Sequence, residues 1–74
     1  MEKLTVQKRL AQTIRLRRQT MEISQESFAD SIGMHRAYYS TIERGERNMT
    51  VETLLRVSEG LGTTLAELTK DAGV

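Results

Sequence analysis

The stretch SQESFADSIGMHRAYYSTIERG holds two short apolar-periodic segments either side of Gly33, and that spacing admits few folds. Ser24 can cap a helix through its hydroxyl, with Glu26 well placed against the positive end of the helix dipole. Phe28, Ala29 and Ile32 recur at helical spacing and predict its buried face. Gly33 follows where a positive φ closes a helix without steric cost. A second helix is predicted to start near His35 or Arg36 and run to about Arg44, burying Tyr39 and Ile42, until Gly45 ends it. Ala29 is small enough for the two helices to approach closely where they cross.

The rest of the chain is punctuated in the same way. With no proline, five glycines and few β-branched runs, the pattern is all-α. A first helix over about residues 5 to 20 carries the stripe Val6, Leu10, Ile14 and, unexpectedly, Arg17. Thr50 can cap a fourth helix with apolar residues at Val51, Leu54, Leu55 and Leu61, its end bracketed by Gly60 and Gly62. Thr64-Leu65-Ala66-Glu67 is a capping box opening a fifth, anchored by Leu65 and Leu68. There is no repeat, linker or low-complexity segment. One domain over residues 1 to 74 is expected, with ragged ends at 1 to 4 and 70 to 74.

Composition removes several classes of function. Without cysteine there is no thiolate nucleophile, disulfide framework or Cys-based zinc site, and His35 is the sole histidine, so no metal or cofactor is expected. Glu43 and Glu46 lie close in sequence but lack metal partners, an activated nucleophile or a phosphate-cradling glycine loop, so the chain does not read as an enzyme. No apolar run approaches the roughly 18 residues of a membrane span, and the polar, basic N-terminus lacks the apolar core of a signal peptide. A cytoplasmic location with no membrane partner is expected. A chain of 74 residues makes a small core, so burial at a subunit interface is expected too. The net charge of +1 divides unevenly: residues 1 to 48 carry nine basic and six acidic side chains, residues 49 to 74 two and four.

Two short helices joined through a glycine-bearing turn, with a small residue at the crossing, describe a helix-turn-helix. Gln25, Ala29, Gly33, Tyr39 and Ile42 fall at the needed offsets in helices 2 and 3. With the strings ISQESFADSIGMHRAYYSTIERGERN and LGTTLAEL, the chain resembles the lambda-repressor-like helix-turn-helix family of compact five-helix DNA-binding domains, over about residues 8 to 69. Within that family, His35-Arg36, Tyr38, Ser40, Ile42-Glu43-Arg44 and Arg47-Asn48 are most similar to controller proteins of bacterial restriction-modification systems. The resemblance implies a transcriptional regulator acting as a homodimer on a two-fold symmetric operator in double-stranded DNA. Its third helix would enter the major groove and its C-terminal helices would face the dimer axis. A controller protein activates its own gene and the endonuclease gene at moderate concentration and represses at high concentration. The basic front and acidic back agree with that picture. A phage-like repressor or antitoxin of the same fold is the alternative, and, in another class, a protein-interaction module without DNA binding. The retention of Arg36, Ser40, Arg44 and Arg47 speaks against the last.

Roles follow for particular residues. Arg36, in the first turn of helix 3, can pair with guanine O6 and N7. Ala37 can meet a thymine methyl, and Ser40 and Thr41 can reach base or phosphate. Gln25 matches the family's glutamine at the start of helix 2, which contacts phosphate and braces the recognition helix. Arg44, Arg47 and Asn48 follow helix 3 and read as phosphate or minor-groove contacts. His35 reads as a phosphate contact, a helix cap or a simply exposed side chain. Tyr39 takes a position where the family buries a branched aliphatic, so it should be core with its hydroxyl at an edge; Tyr38, about 100° away, should face DNA. Arg18 and Glu43 fall where the family has a partly buried ion pair. Leu54, Leu55, Leu61, Leu65 and Leu68 exceed what one small core needs and are the dimer-interface candidates, while Glu26 and Asp30 are candidates to face RNA polymerase. Two departures stand out: Arg17 where the family buries leucine, and Glu22 where it uses a helix-ending glycine.

Overall fold

Among the described residues four helix starts are fixed by a hydroxyl. Thr5, Ser24, Thr50 and Thr64 accept from the amides of Lys8, Ser27, Thr53 and Glu67 at 3.0–3.1 Å. Each bond satisfies one of the amides that a helix N-terminus leaves unpaired. The computed structural model describes residues 5–74 and places after these caps α1 (Val6–Thr20), α2 (Gln25–Ser31), α4 (Val51–Gly60) and α5 (Leu65–Ala72). Between α2 and α4 runs α3 (Arg36–Glu43), whose cap residue, His35, makes no side-chain capping bond. The all-α five-helix architecture is the expected one.

The apolar stripes converge on one core. Leu10 and Ile14 of α1, Phe28 and Ala29 of α2, Tyr39 and Ile42 of α3, Val57 of α4, Leu61 at its end and Leu68 of α5 are buried together. α1 lies against α5 and α3, α2 against α3, and α4 against α5. Gly60 lets α4 come down onto α2: a Cβ there would run into Ile32 Cγ2 and stand 3.0 Å from Phe28 Cζ.

The stripe of α4 is rotated from the expected one. Val57 and Leu61 are its buried residues and Leu54 packs beside them, whereas Val51 and Leu55 are exposed. Leu55 lies about 120° round the helix from Leu61, too far to share the buried face. Val6, expected in the α1 stripe, is exposed as well, because it sits at the helix start beyond the reach of the core.

Both departures have definite outcomes. Arg17 is half-exposed and its guanidinium pairs with the Asp71 carboxylate of α5, so its stem runs along the surface and its charge stays at the edge. Glu22 adopts φ +60°, a left-handed conformation that costs a side-chain-bearing residue roughly 1–2 kcal/mol. Residues 70 to 74 were expected to be ragged, but α5 continues to Ala72, tied by the Arg17–Asp71 pair and by Arg9 Nη1, which donates to Gly73 O at 3.1 Å. The expectation for residues 1 to 4 lies outside the described residues. Among the described residues no helix is long and apolar enough to cross a membrane.

Candidate nucleic-acid interface

The turn between α2 and α3 is built as its sequence dictates. Gly33, at φ +69°, donates its amide to Asp30 O at 3.1 Å, and Met34 donates to Ala29 O at 2.8 Å. The chain can reverse here because glycine carries no Cβ to clash at positive φ. Ala29 is buried at the crossing, and the rings of Phe28 and Tyr39 meet with centroids 5.1 Å apart at 49°. Tyr39 and Ile42 have no solvent exposure, so α3 is seated by one face and offers the other.

What fixes its orientation is a buried polar network. Arg18 Nε and Nη2 donate to Glu43 Oε2 and Oε1 at 2.6 and 3.0 Å, and Arg18 Nη1 donates to Ile23 O at 2.8 Å. Gln25 Nε2 donates to Glu43 Oε1 at 2.9 Å, and the Tyr39 hydroxyl donates to Glu43 Oε2. Every buried side-chain nitrogen and oxygen among the described residues has a partner. Burial pushes the Glu43 carboxyl up, but hydrogen bonds from Arg18, Tyr39 and Gln25 outweigh it and hold the group below the usual carboxylate range. Burial first, then the Glu43 carboxylate, pushes the Tyr39 phenol far above its ordinary value. A carboxylate, a guanidinium and a neutral phenol therefore persist at neutral pH.

Side chains singled out in the sequence meet in this network. Arg18 and Glu43 form the expected pair, bidentate and buried. Gln25 braces α3 through Glu43, which engages the same amide expected to meet phosphate. Tyr39 is core, but its hydroxyl ends inside the network rather than at an edge, because Glu43 one turn on supplies a buried acceptor.

The opposite side of α3 carries the residues expected to read DNA. Arg36, Ala37 and Tyr38 are exposed, Ser40 and Thr41 half-buried. The Arg47 guanidinium lies 4.8 Å over the Tyr38 ring, while its Nε donates to Thr41 Oγ1 at 2.8 Å. Thr41 Oγ1 in turn donates to Tyr38 O at 2.6 Å. Beside this cluster Arg44 Nη1 donates to Ser40 Oγ at 2.7 Å, and its Nε and Nη2 hold the Glu46 carboxylate at 2.9 and 3.1 Å. His35 and Asn48 are exposed. Glu26 and Asp30 line a shallow concavity with His35 and Arg36.

Sequence reading missed the part of Glu46, and the docking of its loop on α1 through Gln7 Nε2, which donates to Gly45 O at 2.6 Å. Nothing in local spacing announces a contact between residues 38 positions apart. Of the dimer-interface candidates, Leu61 and Leu68 are removed, since both are spent on the chain's own core; Leu54 and Leu65 are half-buried and Leu55 is exposed. Among the described residues no three His, Cys, Asp or Glu side chains converge as a metal site would require.

Residues 14–68 match the helix-turn-helix family. The chain is 49% identical over 57 residues to control protein C.MunI of a Mycoplasma species, an alignment covering 77% of either chain. It is 37% identical over 65 residues to control protein C.SmaI of Serratia marcescens, covering 88% of this chain and 77% of that one. Its fold is similar to that of the clp gene regulator ClgR from Corynebacterium glutamicum, with a TM-score of 0.91 at 22% identity over 97% of this chain and 92% of that one. A hypothetical transcription factor from Neisseria, NHTF, superposes with a TM-score of 0.82 at 29% identity, covering 88% of this chain and 75% of that one.

Proposed function

This chain belongs to the helix-turn-helix family of DNA-binding transcription regulators, and we propose that it acts as a homodimer on a two-fold symmetric operator, as the controller of a restriction-modification system. The observation that carries this reading is the two-sided character of α3. One side is locked by Tyr39, Ile42 and the Arg18–Glu43 pair; the other presents Arg36, Ala37 and Tyr38 to solvent. A rigidly held helix with an exposed guanidinium in its first turn suits the major groove, where arginine pairs with guanine O6 and N7.

In this proposal Arg36 and Ala37 read base edges, Tyr38, Ser40 and Thr41 complete the contact, and His35, Arg44, Arg47, Asn48 and the Gln25 amide hydrogen that Glu43 does not take serve the backbone or minor groove. The similarity to two control proteins supports a regulator that first activates and then represses the endonuclease gene and its own. Glu26 and Asp30, beside the reading helix, are the surface offered to RNA polymerase. Dimerisation is supported by Val51 and Leu55, apolar side chains one turn apart on α4 that the fold leaves uncovered at 63% and 45% exposure, with half-buried Leu54 and Leu65. Two recognition helices on one face of DNA would stand about 34 Å apart, one turn of the double helix.

The test is selection of bound duplexes from a random pool at about 0.1 M salt, where non-specific phosphate binding is partly screened. Enrichment of an inverted repeat with half-site centres about 10–11 base pairs apart is the outcome expected of a dimeric reader. A pool that stays flat with folded protein contradicts sequence-specific reading, and enrichment of a single half-site contradicts the dimer.

A further inference from the structure

We propose that Arg44 and Lys8 form a binding site for a phosphodiester group of the DNA backbone, and that the Glu46 carboxylate fills this site in the free protein. The proposal rests on the DNA-binding reading above and adds Lys8, from α1, to the contact surface, and Glu46 as an internal competitor of the DNA.

A guanidinium fork accepts two kinds of planar-matching anion, carboxylate and phosphate, through the same paired N–H bonds. In this chain the Nε and Nη2 edge of Arg44 is given to Glu46 at 2.9 and 3.1 Å, while Nη1 is held by Ser40 Oγ on α3. Arg44 is thereby aimed from the end of the reading helix with its anion-binding edge already occupied. Both partners are 53% exposed, so the pair is weak and can exchange with an incoming anion.

Lys8 is brought to the same place by the docking of the loop. The Gly45 carbonyl takes the Gln7 amide at 2.6 Å, and Gly45 lies so close to α1 that a Cβ on it would stand 3.2 Å from Lys8 Cγ and 3.5 Å from Ala11 Cβ. Glu46 follows Gly45 directly, so the loop that Arg44 holds through the Glu46 carboxylate lies against the α1 turn that carries Lys8. The proton affinity of that carboxylate reports the surroundings: the Arg44 hydrogen bonds first, then attraction to Arg44, Lys8 and Arg47, hold Glu46 below the usual carboxylate range. Arg44 holds the carboxylate directly, and the charges of Lys8 and Arg47 act on it from farther off, so positive charge exceeds negative on this edge of the fold.

A phosphate that takes this edge must displace Glu46, which then faces the polyanion without a partner. Glu46 therefore opposes backbone binding on DNA of any sequence. Backbone contacts carry affinity without sequence information, so damping them leaves the choice of site to base contacts such as that of Arg36.

The alternative role for Glu46 is to position Arg44 for its phosphate, and it predicts the opposite sign. The wild type, Glu46→Gln and Lys8→Gln are compared for binding to a random-sequence duplex of about 20 base pairs between 50 and 200 mM salt, with thermal unfolding of each. We expect Glu46→Gln to bind about two- to fivefold tighter near 0.1 M salt. Its slope of log affinity against log salt should steepen by about 0.9, and that of Lys8→Gln should become shallower by about 0.9. With folding retained, weaker binding or an unchanged slope for Glu46→Gln overturns the competitor role, and an unchanged slope for Lys8→Gln removes Lys8 from the site. A folded wild type that binds no duplex overturns the DNA-binding reading itself, which separates the two failures.

Discussion

Tyr39 and Glu43 lie one turn apart on α3, and the buried phenol donates its hydroxyl to a carboxylate that also receives Arg18 and Gln25. One side chain of α3 thus gathers donors from α1, α2 and α3 itself. Burial of a carboxylate is costly unless its lone pairs are filled, and here four donor atoms fill them. The position of α3 is consequently tied to the rest of the fold by direction-dependent bonds as well as by the packing of Tyr39 and Ile42.

Removing one partner should therefore cost more than an exposed bridge. Glu43→Ala leaves the Arg18 guanidinium buried and unpaired, with an expected loss on the order of 3 kcal/mol in urea unfolding. A double-mutant cycle of Arg18→Met and Glu43→Leu should reveal strong coupling, and the double variant should recover part of the loss. Near-zero coupling would show that the pair does not hold the helix.

The same network sets the limits of stability with pH. Glu43 has a folded value below its unfolded one, which is about 4.3, so its contribution is present above that pH. It is lost as pH falls through the lower folded value. Tyr39 is raised above an unfolded value of about 10, so its contribution is present below that pH and disappears as pH rises beyond it. Unfolding free energies measured from pH 2 to 11 should fall at both ends. Glu43→Gln should flatten the acid limb and Tyr39→Phe the alkaline limb; an acid limb of unchanged slope in Glu43→Gln would exclude the carboxylate as its source.

Gly60 tests the packing of α4. Glycine to alanine inside a helix normally adds about 0.5–1 kcal/mol. Here the added methyl would run into Ile32 and Phe28, and Gly60→Ala is expected to cost about 1–3 kcal/mol by overpacking. A rise in melting temperature would mean that α4 can slide away from α2 without loss.

Gly60 also marks where sequence reading stopped. Its position near the end of α4 was legible as punctuation, since a glycine there fits a helix terminus, but its closeness to Ile32 depends on how two distant helices cross. The starts capped by Ser24, Thr50 and Thr64 were legible because a cap is a local bond between residues three apart. The burial of Tyr39 and exposure of Tyr38 followed from helical phase. The rotation of α4, which buries Val57 and exposes Leu55, did not follow, because leucine and valine fit either face until α5 and α2 are in place. The Arg18–Glu43 pair was legible only through family resemblance; the closeness of Lys8 to Gly45 had no local signal.

Tyr38 links α3 to the loop that follows it. Its ring carries the Arg47 guanidinium at 4.8 Å, and Thr41 fixes the same arginine from the side. An exposed stack of this kind contributes roughly 0.5–1 kcal/mol. Tyr38→Phe keeps the ring and should leave the stack intact, so any loss of operator affinity in that variant reports a direct contact by the hydroxyl. Tyr38→Ala removes ring and stack together and should weaken binding by at least about two- to fivefold, with the melting temperature little changed because the side chain is exposed. Gel-shift titration of the selected operator distinguishes these outcomes. Equal affinities for wild type, Tyr38→Phe and Tyr38→Ala would place neither ring nor hydroxyl at the DNA, and Arg47 would then have to be held for its task by Thr41 alone.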